Sequence, residues 1–459
     1  MSITRWIVII IAVVVVLFIV AIAAGTMWLN SFIHSPAFLS EVEVRAGQSL
    51  GGTVQIKSIG FDVFRGVKLQ GLVTQIDLSH TGGKGTLAAN VATLDCGYDW
   101  TRLFAGQLKL TGVSLDHPQI VLTQQPPGSF PLPGSSAPEQ TSSTPSGPTP
   151  GASAVSGPPL SFQFVLDRAR ISDGTFSLRD SGGASMVELQ GINTVADTSG
   201  YTLGKDVTGT LKIATASFPP GLAVTDFSTP FSYRPGEISA KSISASAFGG
   251  NLAGDYSFVV FSGPSILNLN GKGIDVAKLQ AAFSPGSSSP ALTGSLDVQS
   301  KWRAVEQGAV DGEGDLQLAS GQLHGIRILN DIGGLLKINE LTDPVISRGQ
   351  THFQVANRQT QLTALQLISN GFKITGGGTV GFDGQLNLDL VLTLAQSAMG
   401  RLPQPVAASF VTQTDGSGTI GFKVFGTESN PQTDLPQRLL MQNTQIKNVI
   451  NKALNKLFH

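Results

Sequence analysis

Apolar and polar residues alternate in short segments through most of this chain after residue 35. Val54 and Ile56, and later Phe162 and Phe164, stand two positions apart with a polar residue between them. Successive side chains of a β-strand point to opposite faces, so this spacing predicts strands with one apolar and one polar face. The pattern indicates a mainly β protein, built either as one long meandering antiparallel sheet or as several sandwiches.

Dipeptides that favour tight turns recur between these segments. Asp-Gly and Asn-Gly pairs predict hairpins, because both residues tolerate the left-handed backbone that a two-residue turn requires. They stand at Asp173-Gly174, Asn270-Gly271, Asp311-Gly312, Asn370-Gly371, Asp383-Gly384 and Asp415-Gly416.

The clearest predicted strand runs over residues 385–394. Its odd side chains include Asn387, Asp389 and Thr393, and its even side chains form an unbroken apolar stripe. On a strand the whole stripe points to one face. Two interpretations stay open: a sandwich core covered by a second sheet, or a surface that binds an apolar ligand. The leucine stripe consists of Leu386, Leu388, Leu390, Leu392 and Leu394.

A few short helices are predicted among the strands. Residues 275–283 begin with an acidic residue, and residues 326–338 carry apolar residues at helical spacing despite an internal Gly-Gly pair. The segment 429–459 ends in an amphipathic pattern, which predicts a C-terminal helix. That helix either docks on the protein's own sheet or lies on a membrane or a partner.

The N-terminal segment predicts a membrane anchor. Residues 6–28 carry no charge, are long enough to cross a bilayer and have Trp6 and Trp28 at their ends. The alternative is a cleaved signal peptide. A stub of residues 1–5 would remain in the cytoplasm, and the rest of the chain would be exported.

A Pro-, Ser- and Gly-rich linker over residues 124–160 divides the remainder. It separates an N-terminal β region, residues 35–123, from a second β region, residues 161–428. Residues 429–459 complete the predicted organisation.

No residue pattern predicts catalysis. The formal net charge of -1 argues against a nucleic-acid partner, and Cys96 is the single cysteine. The six histidines lack metal-ligand spacing, and neither a nucleophile elbow nor a phosphate-binding loop is present. We therefore expect a protein that is not an enzyme and that has no cofactor and no metal site.

Several of these segments resemble the AsmA-like family of bacterial envelope proteins. The resemblance rests on the anchor, on residues 50–56, 63–69, 103–108 and 113–122, on the hairpin motif at residues 169–176, and on residues 312–394. It implies a repeating β-groove, a curled sheet whose apolar inner face holds lipid acyl chains. It also implies a single-pass bacterial inner-membrane protein whose bulk is periplasmic and which serves lipid transport or outer-membrane homeostasis.

The resemblance favours a phospholipid or another acyl lipid as the ligand, with the leucine stripe as part of the groove lining. The inner membrane would be a further partner through the N-terminal helix, and protein partners in the envelope are compatible with it. The alternative is an envelope scaffold or assembly factor, with a closed β core, that binds other proteins. Hydrolytic activity has no supporting motif.

Overall fold

The computed structural model describes residues 36–62, 66–77, 85–99, 110–124, 166–198, 206–219, 221–234, 237–259, 265–283, 292–304 and 310–441. Most of these residues form strands of an open, curled antiparallel sheet, and few form helices. The prediction of a mainly β fold with such a sheet is confirmed. The chain divides into unit 1, residues 1–219 and 230–235, and unit 2, residues 220–229 and 236–459.

Some predicted segments lie outside the described residues. They are the cytoplasmic stub, the membrane anchor at residues 6–28, the linker from residue 125 onward, and residues 442–459 of the C-terminal helix. Among the residues that are described, no helix is long and apolar enough to cross a bilayer.

The described residues of unit 1 include seven strands, β1 to β7, that pair in chain order. One pair, β4 with β5, is parallel and departs from the predicted antiparallel arrangement. Parallel neighbours need a long connection between them, and the chain between Gln124 and Leu166 supplies it. The strands are β1 (Gly52–Asp62), β2 (Gly66–Asp77), β3 (Gly85–Tyr98), β4 (Leu110–Gln124), β5 (Arg168–Arg179), β6 (Ser185–Asp197) and β7 (Val207–Phe218).

Helix α1 (Pro36–Leu50) covers the outer strand of unit 1 and was not predicted. Phe38, Leu39 and Val42 pack on the buried face of β1. The backbone N–H of Ile56 in β1 donates to Glu43 Oε1 of the helix at 2.6 Å. An edge strand exposes unpaired backbone groups, so the helix protects this edge from pairing with other chains.

Strands β9 to β17 of unit 2 form an antiparallel meander in which each strand pairs with the next. Strand β17 then pairs with β19, which also pairs with the short β18 and β20. Strand β8 (Leu222–Arg234) contributes residues to both units. The other strands are β9 (Glu237–Ala247), β10 (Gly250–Val259), β11 (Ser265–Asp275), β12 (Leu292–Ala304), β13 (Val310–Leu323), β14 (Val345–Ala356), β15 (Gln359–Ser369), β16 (Phe372–Gly381), β17 (Gln385–Leu394), β18 (Val411–Thr412), β19 (Gly418–Thr427) and β20 (Asn430–Thr433).

The turn dipeptides have two different outcomes. Asn370-Gly371, Asp383-Gly384 and Asp415-Gly416 lie between consecutive strands, as predicted. Asp173-Gly174, Asn270-Gly271 and Asp311-Gly312 lie inside strands, so the prediction of a turn there is wrong. At Asp173 the positive φ of 50° accompanies a shift in strand register. A residue pair that tolerates this backbone serves a β-bulge as well as a turn.

Short helices lie between or after the strands of unit 2. The predicted helix after Asp275 is confirmed as α2 (Val276–Phe283), and Asp275 Oδ1 accepts from the backbone N–H of Ala277 at 3.0 Å. The helix predicted over residues 326–338 is confirmed as α3 (Arg327–Leu336). The remaining helices are a 3₁₀ helix (Asn339–Leu341), α4 (Gln396–Met399), α5 (Gln404–Ala407) and α6 (Leu435–Met441).

The segment predicted as a C-terminal helix from residue 429 does not begin as one. Asn430–Thr433 form strand β20 against β19, and α6 starts only at Leu435. The pairing of Val424 with Thr433 brings the chain back along β19 before the helix begins. Pairing with β19 therefore determines the conformation of Asn430–Thr433, because the apolar and polar residues of this short segment do not themselves predict a strand or a helix.

Candidate functional site

The leucine stripe lies on one face of β17, as its period predicts. Leu386, Leu388 and Leu390 are half-buried, whereas the alternating Asn387 and Asp389 are exposed. On the opposite face Asp389 forms an ion pair with Lys423 of β19, with Oδ1 and Nζ 2.9 Å apart. The strand therefore has one apolar and one polar face.

The five leucines do not share one environment. Leu392 is 1% exposed and Leu394 is fully buried. Both belong to a cluster of buried side chains that we call the closed core. The first three leucines pack against this cluster but keep part of their surface open. The closed core includes helix and turn residues Leu329, Ile332, Leu336, Leu341, Ala398, Leu435 and Leu439, together with strand residues Phe372, Ile374, Ile420 and Phe422.

The burial of the leucine stripe reduces the number of residues that can line a lipid groove. Leu392 and Leu394 are parts of a core and have no surface available to a ligand. Leu386, Leu388 and Leu390 remain as candidates for an open apolar surface. The sequence period places all five on one face, but it carries no information about which of them a helix covers.

Two glycines keep the open leucines free of neighbours on one side. In β16, Gly378 stands opposite Leu388 and Gly376 stands opposite Leu390. Their φ values are 145° and 150°, and a Cβ atom at Gly376 would lie 2.1 Å from the carbonyl oxygen of Asp389. The backbone therefore requires glycine here, and the missing side chains leave the flanks of the leucines uncovered.

The apolar surface continues across the neighbouring strands of unit 2. Residues paired across an antiparallel ladder point to the same face, so the register identifies its members. Most are half-buried rather than buried. We call this surface the apolar face; it includes Leu252 and Tyr256 of β10, Leu267 and Leu269 of β11, Val298 and Trp302 of β12, Leu316 of β13, Leu362 and Leu365 of β15, Val380 of β16 and the three open leucines of β17.

Charged residues of the same strands occupy the other face. Asp255 pairs with Asn268, and the Asn268 amide donates to the Asp255 carboxylate at 2.8 Å. Lys301 pairs with Glu313 further along the sheet. At about 4.8 Å between neighbouring strands, the apolar face from β10 to β17 extends roughly 35 Å across the sheet. Over this distance the strands have an apolar face and a polar face, and the polar face carries charged residues on every strand except β15.

Two aromatic rings meet on the apolar face with a glycine between their strands. The ring centroids of Trp302 in β12 and Phe353 in β14 are 6.0 Å apart, with the rings tilted by 40°. Gly312 of the intervening strand β13 pairs with Trp302, and a Cβ atom there would lie 2.3 Å from the indole. The indole therefore lies over Gly312 of β13 and reaches the Phe353 ring.

In the part of the chain that the structure describes, the histidines and the cysteine do not assemble into a catalytic or metal site. His117 lies between Asp116 and Asp173 of unit 1, with Nδ1 and Nε2 at 3.1 and 3.3 Å from the two carboxylates. Within the described residues, no group of three or more His, Cys, Asp or Glu side chains could hold a metal ion. Burial, and secondarily the charge of Asp95, raises the pKa of the Cys96 thiol, which keeps it protonated and a poor nucleophile.

Comparison with protein families, curated proteins and solved structures finds no match to this chain. The apolar face is therefore characterised by its own geometry and chemistry alone.

Proposed function

We propose that this protein is a non-enzymatic lipid-binding protein whose apolar face, arranged as a β-groove, holds acyl chains. The observation that carries the proposal is the apolar face of unit 2, most of whose residues are half-exposed, backed by a polar face on the same strands. A monomeric soluble protein rarely leaves so extended an apolar surface open to water unless something binds there.

The proposed mechanism is partition of acyl chains between two apolar phases. A lipid chain offers no hydrogen-bonding groups, and the open part of the stripe offers only leucine side chains and glycine backbone. Each CH₂ group removed from water contributes about 0.8 kcal/mol. Many weak contacts along the apolar face can then replace a shaped pocket.

The cellular role follows from the resemblance to the AsmA-like family. We propose a single-pass inner-membrane protein, anchored through residues 6–28, with the groove in the periplasm and a role in lipid transport or outer-membrane homeostasis. The anchor would hold the groove near the membrane that supplies the lipid.

A scaffold function is the alternative, and one observation favours it. The closed core buries Leu392, Leu394, Leu435 and Leu439 completely or almost completely. This part of unit 2 is a closed β core of the kind that a protein-binding scaffold requires.

A matched pair of substitutions separates these functions. We would titrate the full-length protein with a fluorescent acyl-chain probe whose emission rises in apolar surroundings. Leu388→Glu introduces a charge on the apolar face, whereas Asn387→Glu introduces it on the exposed polar face next to it. The proposal predicts saturable binding that Leu388→Glu abolishes and Asn387→Glu preserves. Equal binding by both variants, with unchanged circular dichroism, would rule out the groove at β17.

A further inference from the structure

The pairing of β4 with β5 is interrupted at the same position on both strands. We call this pairing, which joins residues 113–123 to residues 169–179, the seam. After Asp116 and Ser172 the ladder skips two residues on each strand and then resumes in the same register. His117 and Asp173 begin the interruption, with positive φ values of 47° and 50°. Because both strands leave the regular backbone together, their interruptions lie opposite each other only in this register.

Buried contacts fill one side of the interruption. Pro118 is fully buried there, and it has no N–H to donate to a neighbouring strand. A Cβ atom at Gly174 would lie 3.1 Å from Cγ of Pro118 and 3.0 Å from Cγ2 of Ile171. The glycine therefore lets the proline approach β5 closely, and the interruption is a packed part of the seam.

The imidazole of His117 bridges two carboxylates on the other side of the interruption. Its Nδ1 lies 3.1 Å from Asp116 Oδ1 of the same strand, and its Nε2 lies 3.3 Å from Asp173 Oδ2 across the seam. A neutral imidazole has one N–H and one lone pair, so it can donate to only one of these carboxylates and turns its lone pair to the other. The protonated ring donates from both nitrogens. The arrangement is therefore fully satisfied by the imidazolium alone.

The strands on either side of the seam bring uncharged residues to this position. On β3 the residue at this level is Ala92. On β6, Asn193 lies beside Asp173 and its side-chain oxygen accepts from the Asp173 backbone N–H at 3.1 Å. Arg170 of β5 donates to a serine hydroxyl of its own strand at 3.2 Å. Among the described residues of β3 to β6, Asp116 and Asp173 are therefore the charged groups in contact with the ring.

We infer that His117 is a pH-sensitive latch that holds the seam in register. A tight turn fixes the register of a hairpin, but the connection from Gln124 to Leu166 is too long to fix the register of β4 against β5. Side-chain contacts across the seam must do so instead. Histidine changes its charge between about pH 5 and pH 8. The bridge therefore stabilises the seam where the ring is protonated, and one of its two contacts is lost as the pH rises and the ring becomes neutral.

Hydrogen exchange of the full-length protein at two pH values tests the latch. After correction for the pH dependence of chemical exchange, amides of the seam should open about two- to fivefold more often at about pH 8 than at about pH 5.5, the range expected for a half-exposed ion pair. Asp173→Asn and His117→Asn should each remove this difference. Asparagine suits both positions because it tolerates a positive φ.

The control is a histidine outside the seam. His352 of unit 2 has its Nδ1 3.0 Å from Asp315 Oδ1, so His352→Asn should leave the pH difference at the seam unchanged. Equal opening at the two pH values in the unmodified protein would overturn the latch. A pH difference that persists in either Asp173→Asn or His117→Asn would also overturn it.

Discussion

Leu390 and Leu392 stand two residues apart on the same face of β17, yet a boundary between an open surface and a closed core runs between them. Leu390 is half-buried and has Gly376 and Phe422 as its cross-strand neighbours. Leu392 is 1% exposed and lies between Ile374 and Ile420. On β16 the neighbour therefore changes from a glycine to an isoleucine where the stripe changes from surface to core.

This boundary predicts different stability effects for two identical substitutions. Leu392→Ala removes a fully packed side chain and should lower the free energy of unfolding by about 2–5 kcal/mol. Leu390→Ala should cost clearly less, because part of that side chain already contacts water. Denaturant unfolding followed by circular dichroism measures both. Equal costs would mean that Leu390 belongs to the closed core and not to the open face.

The glycines of β16 should be intolerant of a methyl group. Gly376→Ala places a Cβ atom 2.1 Å from the carbonyl oxygen of Asp389 at a φ of 150°, so we expect a loss of more than about 1 kcal/mol in unfolding free energy. Gly421→Ala in β19 is the control, since the nearest atom to its Cβ is the carbonyl oxygen of Leu390 at 3.9 Å. Thermal unfolding should separate the two variants, and a tolerated Gly376→Ala would contradict the described pairing of β16 with β17.

Helix α3 contains two adjacent glycines, Gly333 and Gly334, at which substitution by alanine should change the stability of the protein in opposite directions. A Cβ atom at Gly334 meets nothing within 4 Å, so Gly334→Ala should stabilise the helix by about 1 kcal/mol through helix propensity. At Gly333 the Cβ atom would lie 3.0 Å from the carbonyl oxygen of Ile338 and 3.2 Å from Leu341 Cβ. Gly333→Ala should therefore give a lower melting temperature than Gly334→Ala. The opposite order would place the other face of α3 against the core.

The pKa of Asp206 depends on one partner in unit 1. The Arg234 guanidinium donates two hydrogen bonds of 2.8 Å to the Asp206 carboxylate and, mainly through them, lowers its pKa. Because the folded-state pKa is below the unfolded-state value, the pair favours folding above the unfolded-state pKa, and this contribution is lost as the pH falls through the folded-state pKa.

Arg234→Gln should therefore raise the pKa of Asp206, which carboxyl-resolved NMR titration measures. The control is Asp415, whose pKa is lowered chiefly by the Ser417 hydroxyl and should not change. An unchanged Asp206 would show that the bidentate pair does not form in solution.

Much of the architecture was predictable because strand period and helix caps are local properties. The alternation of apolar and polar residues over 385–394 places the five leucines on one face of β17. Asp275 predicts the start of α2, which begins at the next residue, Val276. The spacing of Phe38, Leu39, Val42 and Ala46 is equally helical and could have identified α1. It lies directly after the long apolar segment, where strands were expected to begin.

Other features depend on pairing between distant residues and had no local signal. The parallel register of β4 with β5 joins Leu115 to Ile171 across the linker. Asp311-Gly312 has the composition of a turn but lies within β13, where the glycine accommodates the indole of Trp302. The division of the leucine stripe likewise depends on α3 and α6, which cover one end of it from elsewhere in the sequence.

The most direct test of lipid binding is native mass spectrometry of the full-length protein, followed by extraction and identification of the lipids that remain bound. Leu390→Glu places a charge on the apolar face, and Val391→Glu, at a residue 38% exposed on the opposite face, is the control. We predict stoichiometric phospholipid on the unmodified protein and on Val391→Glu, and none on a folded Leu390→Glu variant. A folded, lipid-free unmodified protein, or lipid retained equally by both variants, would contradict the apolar face as an acyl-chain site.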